Sequence, residues 1–177
     1  MASYTLLEFD QLDSTSDFLK ENHAYFPHMT FIRAGYQLKG RGQFDRTWQS
    51  NKDENLLFSI LLKHVHTDQS HAIKKWIMLS MISFFQSYGI QPEFKEPNDI
   101  YVGDKKIAGI LIESLSYEQI FDVMVIGIGL NINQLHFGDL PATSLSQLTR
   151  QSYQLSEMFR QLMQNLVRSY RDHIAST

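Results

Sequence analysis

The run NLLFSILLK (55–63) constrains the fold more than any other stretch of this chain. Its apolar residues follow one another with neither the alternation of a half-buried strand nor the spacing of an amphipathic helix. It reads as a strand buried on both faces, which needs cover on both sides. The rest of the sequence can supply that cover. Ile73, Trp76, Ile77, Met81, Phe84 and Phe85 recur at helical spacing from Ser70 to Tyr88, and Gly89 is a fitting stop. Near the end, Phe159, Leu162, Met163, Leu166, Val167 and Tyr170 form one stripe of a second amphipathic helix.

The remaining elements are mixed. Tyr4–Phe9 and Thr30–Tyr36 read as strands. Between them, DSTSDFLKEN opens a helix with Ser14 or Thr15 as N-cap and Asp17 near the positive end of its dipole. Ile100–Val102, a Gly103-Asp104 turn, Lys106–Ser114 and Asp122–Ile132 form a meander. Residues 142–150 form a loop leading into a short helix. Strands joined by hairpins and interleaved with helices predict an α+β fold, a mixed and mainly antiparallel sheet backed by helices.

At 177 residues the chain is expected to be one domain with a real core. A net charge of -3 and a pI near 6.1 argue against nonspecific nucleic-acid binding, which needs a basic surface. The absence of cysteine excludes a disulfide, a thiolate nucleophile and a cysteine-held metal. MASYTLLEFD lacks the basic and apolar regions of a signal peptide, and the longest apolar run, 123–130, is too short to span a bilayer. Both fit a cytoplasmic protein.

Three features can carry chemistry. GRGQFDRTW (40–48) has Gly40 and Gly42, which permit tight backbone, and Arg41 and Arg46, whose forked donors suit phosphate or carboxylate; Trp48 could anchor its end. The same residues also suit a plain solvated loop. Gly109, Gly127 and Gly129 interrupt strands, which marks either a bulge or a ligand lying flat on the sheet. Lys95 and Lys106 flank a Pro97-Asn98-Asp99 turn and a hairpin, so both ammonium groups could serve one anionic site, or both could be ordinary exposed lysines. His64 and His66 would share one face of a strand end, but no third metal ligand accompanies them.

In combination these segments resemble the biotin protein ligases over nearly the whole chain. LDSTSDFLKE (12–21), AGYQLKGRGQFDRTW (34–48), KEPNDIYVGDKKIAGILIE (95–113), VIGIGLNIN (125–133) and ATSL (142–145) are similar to that family's motifs and occur in its order. The resemblance implies a fold related to the class II aminoacyl-tRNA synthetase catalytic domain and a two-step reaction. Biotin and Mg-ATP would give biotinyl-5′-AMP, and a lysine of a biotin carboxyl carrier protein would then accept the biotin. Ser14, Thr15, Ser16 and Gln37 would hold the biotin head, and Gly40, Arg41, Gly42 and Gln43 would form the loop over biotin and adenylate. Lys95 would meet the biotin carboxyl and the α-phosphate, as first choice for the essential residue. Asp99 and Lys106 would support the phosphate and metal region, with Arg41 also catalytic. Arg46, Trp48 and Asn131 would lie on the ATP side, Mg2+ near Asp99 or Asn131, and Gly109, Gly127 and Gly129 would make room for the ligand.

The sequence departs from the family pattern at Ser16 (commonly Asn), Gln43 (Arg in some members), Asp45 (commonly Gly) and Glu96 (commonly Trp). Glu96, adjacent to Lys95, is expected to face solvent or a cation outside the site. The family's N-terminal winged helix and C-terminal SH3-like domain have no counterpart in the chain, so a single catalytic domain without operator binding is expected. A homodimer through a sheet edge is implied by the resemblance alone. Two other readings compete with the ligase: a non-catalytic biotin or adenylate binder, and a lipoate or octanoate ligase of the same fold.

Overall fold

The computed structural model describes residues 4–44 and 46–174, the side chains of residues 116, 117 and 173 excepted. Its centre is a seven-stranded sheet: β1 (Thr5–Leu12), β2 (Thr30–Gln37), β3 (Leu56–His66), β4 (Glu93–Lys95), β5 (Asp99–Val102), β6 (Lys105–Tyr117) and β7 (Ile120–Leu130). The spatial order is β1-β2-β3-β7-β6-β5-β4. Only β1 and β2 run parallel; every other neighbouring pair is antiparallel. The helix α1 (Thr15–Asn22) links β1 to β2, as a parallel pair requires a crossover.

β3 lies third in the order, between β2 and β7, and every residue from Leu56 to Leu62 is buried. The two-sided burial read from its apolar run is therefore what the sheet provides. On one face Phe31, Phe58, Ile60, Leu62, Ile126 and Ile128 meet α2 (Ser70–Gln86) and α4 (Leu155–His173). The α4 stripe from Phe159 to Tyr170 is buried against this face as its spacing predicts, and Gly89, at φ +79°, follows α2. The opposite face carries a smaller cluster of Leu19, Ile32, Leu61, Val123 and Val125 under α1.

Two details position the site. The three-residue strand β4 was not legible in the sequence, being too short for a pattern; it caps the sheet by pairing with β5. β6 has a bulge opposite Ile100 and Tyr101: Ile100 pairs with Ala108 and Tyr101 with Lys106, leaving Ile107 without a partner. The extra residue reverses the in-out alternation on either side of it. Ala108 and Ile110 therefore join Ile107 in the helix-covered core, while Gly109 and Leu111 face the other way.

Candidate active site

The site forms on the α1 face because Gly129, Gly109, Ser59 and Gly127 are stacked there in register. Leu57, Gly129 and Gly109 form one row across β3, β7 and β6, and Ser59, Gly127 and Leu111 form the next. A cleft of about 320 Å3 opens above these rows. That is within the size range of small-molecule sites. Its walls come from the start of α1, the 41–48 loop, the 96–99 turn and Lys106.

One end is a hydroxyl and amide network. Ser14 caps α1, accepting from the Asp17 amide at 3.3 Å. The Thr15 amide and hydroxyl both donate to Gln37 Oε1, at 2.8 and 3.0 Å. Because the single Thr15 proton is committed there, its contact with Ser59 at 2.8 Å has Ser59 as donor. Ser59 then accepts from Ser16 at 2.9 Å. The chain of donors runs Ser16, Ser59, Thr15, Gln37. It leaves the Gln37 amide N–H groups, beside Gly40, without a hydrogen-bond partner among the described residues, and Gln37 lines the cleft. Ser59 is a member that sequence reading missed; its signal was a lone hydroxyl inside an otherwise apolar, fully buried strand.

The other end is cationic. Lys106 Nζ lies 2.7 Å from Asp99 Oδ1 and 5.3 Å from the Trp48 ring centre. Its reach into the cleft depends on the β6 bulge. Without the extra residue, Lys106 and Gly109, three apart, would point to opposite faces. A Cβ on Gly109 would instead sit 3.3 Å from Lys106 Nζ. The main chain of Lys106 is held by Pro141, Thr143 and the Asn131 side chain.

The structure does not bring Lys95 into this constellation. Lys95 lies on the edge strand β4, and its ammonium is turned along β5, 4.2 Å from the Tyr101 ring centre and 3.4 Å from the Gly103 carbonyl. The cleft is walled by Glu96, Pro97, Asn98 and Asp99, and not by Lys95. The two ammonium groups are therefore not side by side, although the pairing of Lys95 with Asp99 and of Asp99 with Gly109 sets Lys95 on the cleft face of the sheet; the turn of its side chain toward Tyr101 keeps it from the lining. Glu96 stands on the cleft rim, but its exposed carboxylate is turned to Lys74 of α2 at 2.8 Å, a cation outside the cleft. Asn98 is held in place, its side chain donating to the Ile110 carbonyl at 2.6 Å.

The glycines have a more specific explanation than ligand clearance. A Cβ on Gly129 would lie 2.4 Å from Trp48 Cε2, and one on Gly109 2.9 Å from Trp48 Cζ3. A Cβ on Gly127 would lie 2.4 Å from Ser16 Oγ. The glycines thus admit the Trp48 ring and the Ser16 hydroxyl onto the sheet while lining the cleft floor. Trp48 Nε1 is buried there without a partner among the described residues.

In the loop, Arg41, Gly42, Gln43, Arg46 and Trp48 line the cleft, with Phe44 and Thr47. Gly40 does not; a Cβ there would strike the Trp48 carbonyl at 2.5 Å, so Gly40 lets the loop close on itself. Asn131 is also outside the lining, donating its amide N–H groups to the Lys106 carbonyl and its backbone to Ile107. From there it supports the main chain of Lys106. Asp45 lies outside the described residues. Among those described, no group of three His, Asp or Glu is placed to hold a metal, and His64-x-His66 gains no third ligand. Nor is any described helix long and apolar enough to cross a membrane.

The model of the biotin/lipoate A/B protein ligase family matches residues 8–131 of the chain. The bifunctional ligase/repressor BirA of Bacillus subtilis is 29% identical over 180 residues, spanning 96% of this chain and 54% of that protein. BirA of Bacillus spizizenii is likewise 29% identical, over 90% of this chain and 51% of its own length. The chain therefore spans about half the length of these curated relatives. A solved biotin protein ligase from Aquifex aeolicus, in complex with biotin and ATP, superposes with a TM-score of 0.79 at 28% identity, covering 95% of this chain and 72% of that one.

Proposed function

The chain belongs to the biotin/lipoate A/B protein ligase family, and from that premise we propose that it is an ATP-dependent biotin–protein ligase. In the first step a biotin carboxylate oxygen attacks the α-phosphorus of ATP. The bond to the β-phosphate oxygen breaks, leaving biotinyl-5′-AMP and pyrophosphate. In the second, a lysine amine of a biotin carboxyl carrier protein attacks the acyl carbon and AMP departs. The reading places the reaction in the cytoplasm.

The observation that carries this reading is the division of one cleft into a neutral hydrogen-bonding end and a cationic end. Ser14, Ser16 and the free Gln37 amide suit a polar ureido head, which needs both donors and acceptors. Lys106 suits the place where carboxylate meets triphosphate, since fixed positive charge must sit where negative charge accumulates, and Arg41 and Arg46 of the loop would bring further charge over the cleft. Lys106 is the lysine that lines the cleft, with Lys95 on the same face of the sheet one strand beyond Asp99. Trp48, lying flat over Gly109 and Gly129, offers an aromatic face beside Lys106 for the nucleotide. Mg2+ would enter with ATP, neutralising phosphate charge, and Asp99 is a carboxylate at the cationic end that could meet it.

The polar end also separates this reading from a lipoate or octanoate ligase, whose apolar substrate would leave those donors unpaired. The test is to incubate the protein with Mg-ATP, a carrier domain and either biotin, lipoate or octanoate, and to weigh the carrier. One added biotin is expected. An adduct from lipoate or octanoate alone would move the reading within the family. No adduct with a biotin-dependent rise in melting temperature would make the protein a binder.

A further inference from the structure

Glu113 and Asp17 lie outside the cleft lining, yet both grip Arg41. Arg41 Nη1 lies 2.7 Å from Asp17 Oδ1 and 3.0 Å from Glu113 Oε1. Lys20 approaches the same two carboxylates, at 2.8 Å from Asp17 and 3.0 Å from Glu113. Two acids and two bases form a closed square of zero net charge. Its corners come from α1, β6 and the 40–48 loop. Of the four, only Arg41 lines the cleft.

The placement follows from register. Glu113 continues the alternation of Gly109 and Leu111, so it lies on the cleft face of β6, opposite Val125. Asp17 sits in the first turn of α1, next to the Ser14–Ser16 segment that lines the cleft. Burial pushes Asp17 up, but hydrogen bonds from Lys20 and Arg41 outweigh it and hold its carboxyl below the usual range. Burial likewise lowers Arg41, and Asp17 and Glu113 outweigh it, so its guanidinium is held more firmly charged. Both shifts follow from the same contact.

Arg41 has five N–H donors, and the contacts to the square use Nη1 alone. Among the described residues no contact to Nε or Nη2 is found, and Arg41 lines the cleft. An anion entering there need not displace the acids; it meets a guanidinium already oriented. We propose that Glu113 and Asp17 are positioning residues: they tether the 40–48 loop through Arg41 and aim its remaining donors at the anionic substrate. The proposal rests on the biotin ligase reading for the identity of that substrate, though the tether itself does not.

The experiment compares wild type, Glu113→Gln, Asp17→Asn, Lys20→Met, Arg41→Ala and the double variant Arg41→Ala/Glu113→Gln. Two readouts are taken: the rate of trypsin cleavage after Arg41 and Arg46 without ligand, and KM and kcat for biotin in pyrophosphate release. Glu113→Gln and Asp17→Asn are expected to speed cleavage after Arg41 and to raise KM for biotin roughly threefold or more, with kcat nearly held. Lys20→Met, which leaves both acids to Arg41, should do neither. Adding Glu113→Gln to Arg41→Ala should change KM no further. If Lys20→Met matches Glu113→Gln, the square merely holds the fold together and the proposal is wrong. Unchanged cleavage in Glu113→Gln, or faster cleavage with unchanged KM, would equally overturn it. A wild type that releases no pyrophosphate with biotin would sink the ligase reading instead, while the cleavage rates still decide the tether.

Discussion

Replacing Gly129 by alanine tests whether the glycine floor exists to seat Trp48. The added Cβ would lie 2.4, 2.6 and 2.9 Å from Trp48 Cε2, Cζ2 and Nε1. Carbon atoms in contact prefer about 3.5–4.0 Å, so the indole must withdraw by roughly 1 Å or more. The strand cannot yield instead, because Gly129 is paired with Leu57 on one side and Gly109 on the other. Overpacking of this kind costs about 1–3 kcal/mol. For a chain of this size that is about 2–4 °C in Tm for each kcal/mol. Since Trp48 ends a loop rather than sitting in the main core, the loss is expected near the lower bound, about 1 kcal/mol, with the ring swinging off the sheet. Thermal unfolding and Trp48 emission report the two events separately, with Trp76 replaced by phenylalanine in all samples to isolate the signal. Emission should shift to the red in Gly129→Ala, and ATP affinity should fall. The decisive comparison is a cycle with Trp48→Ala. Once the indole is gone, Gly129→Ala should cost almost nothing or stabilise slightly, as glycine-to-alanine changes do in extended strands. An equal cost in both backgrounds would refute the account.

Other perturbations follow from the same geometry. Lys106→Ala should lower the rate of pyrophosphate release about 10²–10³-fold, the loss seen when one preorganised electrostatic contact is removed, whereas Lys95→Ala should keep most of it; the reverse ranking would restore Lys95 as the key cation. Ser59→Ala removes the middle of the buried hydroxyl chain, leaves Ser16 and Thr15 each short of a partner, and should cost about 1–3 kcal/mol in denaturant unfolding together with weaker biotin binding. His28 is held below its ordinary value near 6.5, chiefly by burial, with opposition from the Lys63 backbone and help from the nearby His64 charge. The unfolded chain therefore takes up this proton first as pH falls. Stability from His28 is full above about 6.5 and declines through the window down to its folded pKa. The slope of Tm against pH between 5 and 7 should flatten in His28→Gln; an unchanged slope would assign the pH dependence to other groups.

The sequence by itself determined the parts whose signal is local or periodic. The unbroken apolar run of β3, the stripe of α4 and the Ser14 cap each depend on residues within one or two turns of each other. So did the resemblance of the 12–21, 34–48 and 95–113 segments to biotin protein ligases, which named most of the cleft's lining in advance. The tertiary structure decided what depends on pairing between distant strands. Lys95 and Lys106 are equivalent as letters. Lys106 enters the cleft because of a one-residue bulge opposite β5, while Lys95, in the same sheet row as Asp99 and Gly109, is kept from the lining by the turn of its side chain toward Tyr101; neither leaves a local trace. Ser59 becomes a hydrogen-bond relay, and Glu113 a hold on Arg41, only once β3, β6 and α1 are in register. A side chain's face follows from the parity of its strand, and parity is reset wherever a bulge or turn inserts a residue. Chemistry-bearing residue types can therefore be read along the chain, but their direction is fixed only by the partner strand that counts the residues.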